Sequence, residues 1–260
     1  MKPIFSGLAA VCVLAPLHAA VYAHYSFDTD YTDSSGNSRN GTLTDVGTLG
    51  NSGITSTAGN YMFGGGALNL SADRDYVDVA LGTFSSGTPY TFSFWARKAA
   101  GDTGNAADFD MVIGDRSTTN FFIALGDSNL SIPGLRWRSA GTTADRQADF
   151  TVARDNNWHQ YAIVASGTTI SFYMDGAFVA SDLNNLTGFQ WNTIGEAYPN
   201  TSDFDFNGQI DEMWIFNEAL DATAISSLYQ NNAVPEPSAL LLSAAGLGIA
   251  LCRRSRKTLL

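Results

Sequence analysis

From Val21 to Asn232, apolar and polar residues alternate with a period of two. The clearest runs are Tyr90-Thr91-Phe92-Ser93-Phe94-Trp95-Ala96 and Trp158-His159-Gln160-Tyr161-Ala162-Ile163-Val164, and such a period sends successive side chains to opposite faces of a strand. A third run, Thr169 to Met174, passes through Asp175-Gly176 into Ala177-Phe178-Val179. Asp-Gly between alternating runs predicts a two-residue hairpin, because a type I′ turn needs positive φ at both central positions. Many such short runs, parted by Gly, Asn, Asp and Ser clusters, predict an all-β fold: a two-sheet antiparallel jelly-roll sandwich. One segment reads as a short C-terminal helix, with Asp221 as cap, Leu220 and Ile225 as a hydrophobic staple, and Ile225, Leu228 and Tyr229 on one face.

The two ends follow a different pattern. Met1-Lys2, an apolar run from Ile4 to Leu17 and small residues at Ala19, Ala20 and Ala23 have the order of a secretory signal. Keeping the strand-like Val21 to Phe27 intact favours cleavage near Ala19 or Ala20. At the other end Pro235-Glu236-Pro237 precedes an apolar stretch from Ala239 to Cys252 and the basic cluster Arg253-Arg254-Ser255-Arg256-Lys257. The stretch is short for a spanning helix, which needs about 20 residues, but its flanking charges suit a transmembrane helix or weak anchor. Tripeptide, apolar segment and arginine cluster together resemble the PEP-CTERM sorting signal of bacteria. That resemblance implies recognition by an exosortase-type membrane protease at Pro235, Glu236, Pro237, Arg253 and Arg254, with transient membrane insertion of the tail. The expected organisation is a signal peptide over 1–20, one domain over 21–232 and a sorting segment over 233–260, with targeting helices at both ends. The expected address is the envelope, surface or extracellular matrix of a bacterium.

Charge narrows the partners. Of 14 basic residues one lies in the signal and four in the tail, and of 25 acidic residues one lies in the tail, which leaves 9 against 24, a net charge of −15. So acidic a module is repelled by phosphate backbones, which argues against nucleic acid. Both cysteines, Cys12 and Cys252, fall in the end segments, so the exported domain has no disulfide and needs a large core, a metal or both.

The middle segments carry a second resemblance. Tyr25-Ser26-Phe27-Asp28, Asp33 to Asn37, Asn40-Gly41, Gly66-Ala67-Leu68, Thr91 to Trp95, Trp158-His159, Tyr173 to Gly176 and Gly208-Gln209-Ile210-Asp211-Glu212, then Ile215-Phe216-Asn217 and a closing helix, are in this order similar to the laminin-G-like, concanavalin-A-like jelly roll. The family implies two stacked sheets and a binding role, although fold alone does not fix function.

No catalytic constellation emerges. His24 and His159 remain after processing, with no cysteine, so His/Cys zinc sites and Cys-His nucleophiles are excluded. No serine occupies a Gly-x-Ser-x-Gly elbow, and His159 sits in a strand pattern where a cross-strand hydrogen bond is its expected role. Glycoside hydrolases and polysaccharide lyases also use this sandwich, but they need paired carboxylates across a cleft. The domain glutamates are only Glu196, Glu212 and Glu218, and the Glu-x-Asp-x-x-Glu strand of sandwich endoglucanases is absent. The expected function is therefore a non-catalytic binding module for extracellular polysaccharide, with a structural or adhesive protein that binds a surface protein as the alternative.

Two sites follow as expectations. Trp95, and Trp137 between Arg136 and Arg138, could offer an exposed indole for a sugar ring, or could instead be core. Asp28, Asp30 and Asp33, with Ser34, Gly36, Asn37 and Asn40 close behind, supply oxygen ligands for a hard cation. Asp211 alternates with Met213 and Ile215, and an unpaired carboxylate there would be costly to bury. The laminin-G resemblance implies a structural calcium at Asp28, Asn40, the Gly41 carbonyl and Asp211. The alternative is a polar turn, with Asp211 paired to Arg39 or Arg74.

Overall fold

A computed structural model describes residues 21–71, 74–84, 87–98, 110–116, 122–126, 134–138, 146–147, 155–183, 189–197 and 205–233. The strands are β1 (Val21–Tyr25), β2 (Thr42–Thr44), β3 (Gly53–Thr55), β4 (Ala67–Ser71), β5 (Tyr76–Phe84), β6 (Tyr90–Lys98), β7 (Asp110–Gly114) and β8 (Phe122–Leu125). They continue as β9 (Leu135–Arg138), β10 (Arg146–Gln147), β11 (His159–Ser166), β12 (Thr169–Met174), β13 (Ala177–Leu183), β14 (Phe189–Ile194) and β15 (Asn207–Phe216), and one helix, α1 (Ala222–Asn231), follows. The first sheet has the order β13-β12-β11-β6-β15-β4-β3, with β1 also paired to β15; the second runs β10-β9-β8-β7-β14-β5-β2. Every strand pair in both sheets is antiparallel, so the expected two-sheet sandwich is the fold.

The period-two pattern sorts the core. Tyr90, Phe92, Phe94 and Ala96 of β6 join Tyr161, Ile163 and Ala165 of β11 in one buried cluster with Val77, Val79, Leu81, Ile123, Leu125 and Trp191 of the second sheet. Their intervening neighbours Thr91, Ser93, Trp95 and Arg97 take the outer face of the first sheet. Part of that face is roofed by α1, where Ile225 and Leu228 pack with Ala162, Val164, Tyr173, Phe216 and Leu220. The helix starts as expected, Asp221 accepting from the Ala224 N–H at 2.8 Å, and ends on a left-handed Asn232. The Asp175-Gly176 turn has φ 51° and 75°, the sign that the hairpin chemistry requires. Gly176 is also needed for packing, since a Cβ there would meet the Tyr229 Cβ at 2.9 Å.

The expected transmembrane helix is corrected. No helix among the described residues is long and apolar enough to cross a membrane, and α1 has 10 residues where a span needs about 20. Both expected terminal helices, the signal over 1–20 and the sorting residues Pro235, Glu236, Pro237, Arg253 and Arg254, lie outside the described residues.

Candidate functional sites

The aromatic expectation fails on burial. Trp137 is 1% exposed and faces the core, its ring 4.8 Å from Phe172. Trp95 does lie on the outer face, yet it is 4% exposed, stacked on Tyr229 at 5.4 Å and edged by Phe63 at 5.6 Å. Neither indole is an open platform. Arg136 and Arg138 flank Trp137 on the opposite face of β9 and are half-buried, with Arg138 5.0 Å over the Phe122 ring.

The expected calcium ligands separate into two groups. Asp28 and Asp211 hold one loop: Asp28 Oδ1 accepts from Gly65 N–H at 2.6 Å, and Asp211 Oδ2 accepts from Met62 and Phe63 N–H at 2.8 and 3.0 Å. Side chains at Gly64 and Gly66 would collide with the Asp28 carboxylate and the Asp28 carbonyl. Asn40 and Gly41 belong to a neighbouring loop, where Asn40 Oδ1 accepts from Asp33 N–H at 3.0 Å and Gly41 N–H donates to the Tyr31 carbonyl at 2.7 Å. That loop is closed by Asp33, whose carboxylate accepts from the N–H groups of His24, Ser35 and Arg39, each at 3.0 Å. The predicted strand face of Asp211 is also corrected. A bulge between Asp211 and Trp214, with Glu212 at φ 48°, turns Met213 and Ile215 inward and leaves Asp211 beside Trp95 on the outer face.

Asp211 pairs with neither Arg39 nor Arg74. It is 0% exposed and its Oδ1 has no hydrogen-bond partner, so burial pushes its pKa up to about 7 against the two loop amides. Asp211 Oδ1 is a buried carboxylate oxygen without a hydrogen-bond partner, the kind of ligand a hard cation takes, while the Phe27 and Asp28 carbonyls lie against Gly66 in the same loop. Among the described residues no group of three or more His, Cys, Asp or Glu is placed to hold a metal. An ion here would have to draw much of its coordination from carbonyl oxygens.

His159 takes the structural role expected of it. Nδ1 lies 2.8 Å from Asp175 Oδ2 and Nε2 lies 3.3 Å from Asp155 Oδ1, so both ring nitrogens face carboxylates and neither is left to activate a hydroxyl. His24 stacks on Trp214 at 3.5 Å and meets Glu212 at 2.6 Å. Glu196 is buried beside Arg116 at 3.0 Å.

The half of the outer face that α1 leaves uncovered carries a feature that sequence reasoning missed. Gln209 on β15 lies opposite Asn69 on β4 and Arg97 on β6. Asn69 Nδ2 donates to the Asn51 carbonyl at 3.1 Å, Gln209 Nε2 to Asn69 Oδ1 at 2.6 Å, and Arg97 Nε to Gln209 Oε1 at 2.9 Å. Arg97 then donates to the Gly59 carbonyl at 2.8 Å and to Asn60 Oδ1 at 2.7 Å, with its guanidinium carbon 5.7 Å from the Trp158 ring centre. The result is a row of planar polar groups across three strands, β4, β15 and β6. Beside it, along β3, opens a cleft of about 460 Å³ whose lining includes Asn51, Ser52, Thr55, Thr57, Asn60 and Asn69.

A family model described as the Concanavalin A-like lectin/glucanases superfamily matches residues 71–226, more than half of the chain. The chain belongs to this superfamily. Residues 233–257 match the PEP-CTERM protein-sorting motif, which marks this superfamily member as exported and assigned to the cell envelope or surface. A curated relative, an alpha-L-arabinofuranosidase of Bifidobacterium longum subsp. longum, is 23% identical over 194 residues, covering 70% of this chain and 17% of that enzyme. The chain thus spans about a sixth of its relative's length.

Among solved structures, domain 4 of AbnA, a GH43 extracellular arabinanase from Geobacillus stearothermophilus in complex with arabinotriose, aligns with a TM-score of 0.59 at 21% identity. The alignment covers 82% of this chain and 100% of that one. The binding domain of Paraclostridial Mosquitocidal Protein 1 aligns at 0.59 and 18%, covering 82% and 52%. The botulinum neurotoxin serotype G binding domain aligns at 0.56 and 17%, covering 80% and 50%. At these identities the likeness is one of fold. Most of these neighbours are named as binding domains, and among the described residues no catalytic motif is found.

Proposed function

We propose that this superfamily member is an exported, non-catalytic module that binds carbohydrate at the cell surface or in the surrounding matrix and is sorted by an exosortase-type protease. The observation that carries the reading is the half-buried row of Asn69, Gln209, Arg97 and Asn60, which α1 does not cover. Planar amide and guanidinium groups, fixed by one another, meet the alternating donors and acceptors of a sugar ring with little entropy left to lose. The end-to-end alignment with an arabinanase domain described in complex with arabinotriose supports the same ligand class. A glycan array probed with the full chain in detergent tests it. Binding to defined saccharides is expected; silence on the array together with self-association or cell adhesion would favour an adhesive protein instead.

The reading includes a structural calcium on the Asp28–Asp211 clamp. When bound it would neutralise the buried Asp211 carboxylate and fasten the 62–66 loop across the outer face. It is supported by the unpartnered Oδ1 of Asp211. An ion that binds only the folded state raises the melting temperature with its concentration. Chelator should therefore lower the melting temperature, calcium should restore it, and Asp211→Ala should remove the response. A melt indifferent to chelator in metal-free protein would contradict it.

A further inference from the structure

The cleft beside β3 is lined by hydroxyl, amide and main-chain groups. Among the described residues no Asp, Glu, Lys or Arg lines it. An ionic ligand would leave water without a counter-charge, which is costly, and the net charge of the exported module repels polyanions. An apolar ligand would strip water from hydroxyl and amide groups and give them nothing in return. The occupant that satisfies both conditions is uncharged and rich in hydroxyls.

One lining group is already waiting for a partner. The Asn51 main chain is engaged, its N–H on the Thr48 carbonyl at 3.3 Å and its carbonyl on Asn69 Nδ2. Its side-chain Oδ1 is buried and makes no hydrogen bond, although a buried amide oxygen ordinarily has one. Thr57 and Ser56 stand exposed at the rim. Arg97 spends donors on Gln209, Gly59 and Asn60 and does not line the cleft, so it braces the wall without charging it.

An extended peptide is a poorer fit. β3 is an edge strand of only three residues, too short to template a ladder, and the Tyr31 hydroxyl stands against its first residue, 3.6 Å from where a Cβ on Gly53 would be. The volume, about 460 Å³, falls within the range of small-ligand clefts, roughly 300–1,000 Å³.

We propose that the cleft between β3 and the Asn69–Gln209–Arg97 row is the saccharide subsite, and that it takes a short neutral oligosaccharide, the half-buried Asn51 side chain turning to bring its withdrawn Oδ1 onto a sugar hydroxyl. This rests on the carbohydrate-binding reading above and adds where the sugar sits and its charge class. The test is calorimetric titration of the full chain with neutral trisaccharides, arabinotriose and xylotriose among them, and with trigalacturonate, on wild type, Asn51→Ala and Thr57→Glu. The Asn51 side chain holds no hydrogen bond and Thr57 is exposed, so both variants should melt as wild type does. Neutral trisaccharides should bind and trigalacturonate should not, and each variant should lose about tenfold in affinity, the scale of one good hydrogen bond. Neutral binding that survives unchanged in both variants would overturn the location and leave the carbohydrate reading standing. Preference for trigalacturonate would overturn the charge class. No binding of any saccharide, here and on the array, would overturn both.

Discussion

The outer face of the first sheet has two halves built from the same strands. On β15, Phe216 is buried under the helix while Gln209 is half-buried beyond it; on β6, Thr91 is buried against the segment leading into α1, its hydroxyl bonding the Glu218 carbonyl at 2.8 Å and accepting from Leu220 N–H at 2.9 Å, while Arg97 is half-buried beside the Gly59–Asn60 loop. Where α1 covers the sheet the residues packed against it are mostly apolar and buried. Where it does not, planar polar side chains bond one another along the row. The covered half is held by burial and the other half by mutual hydrogen bonds, so the first contributes stability and the second fixes the polar surface on which the proposed binding rests.

The largest effect should separate these two halves directly. Leu228 is 1% exposed beneath α1, and truncating a buried leucine costs roughly 2–5 kcal/mol, so Leu228→Ala should shift the denaturant midpoint far down. Gln209→Ala in the row removes neighbour-to-neighbour hydrogen bonds worth about 1 kcal/mol each. It should change the midpoint much less while weakening saccharide binding. Equal losses of stability from the two would erase the distinction.

A smaller effect should appear with pH, at the end of the sandwich where Glu196 and Asp205 are buried. Burial first, then the Asp205 charge, raises Glu196 to about 8 against the pull of Arg116. Burial raises Asp205 to about 7 although it accepts from Arg74 N–H at 2.6 Å. An acid whose folded pKa lies above its unfolded value, about 4, holds its proton more tightly when folded. The stability it contributes is complete below about pH 4 and is lost as pH rises through 7 to 8. The melting temperature should therefore fall between pH 5 and pH 9, and Glu196→Gln should flatten the fall. A rise over that range would contradict the assignment.

What was legible in the sequence was local. The β6 and β11 runs, the Asp175-Gly176 turn and the Asp221-capped helix each declare themselves within a few residues, through strand period, turn chemistry or capping. The facing of Trp137 needed the strand's place in the second sheet, and the covering of Trp95 needed Phe63 and Tyr229, which are remote in sequence. The face of Asp211 was misread because a single bulge at Glu212 changes the parity that alternation assumes. The polar row was invisible for the same kind of reason: Asn69, Arg97 and Gln209 are ordinary polar residues until the β4-β15-β6 register sets them side by side. In the acidic loop the sequence grouped Asn40 and Gly41 with Asp28, whereas Asp33 draws Asn40 into a closed turn of its own.

Whether the half of the outer face beyond α1 is the ligand face is read most directly by hydrogen–deuterium exchange on the full chain with and without the tightest neutral oligosaccharide from the array. Slowed exchange is expected only at the amides of residues 50–60, 67–71 and 207–210, with α1 and the second sheet unchanged. Protection over 222–231 or 110–138, with none over 50–60, would contradict it.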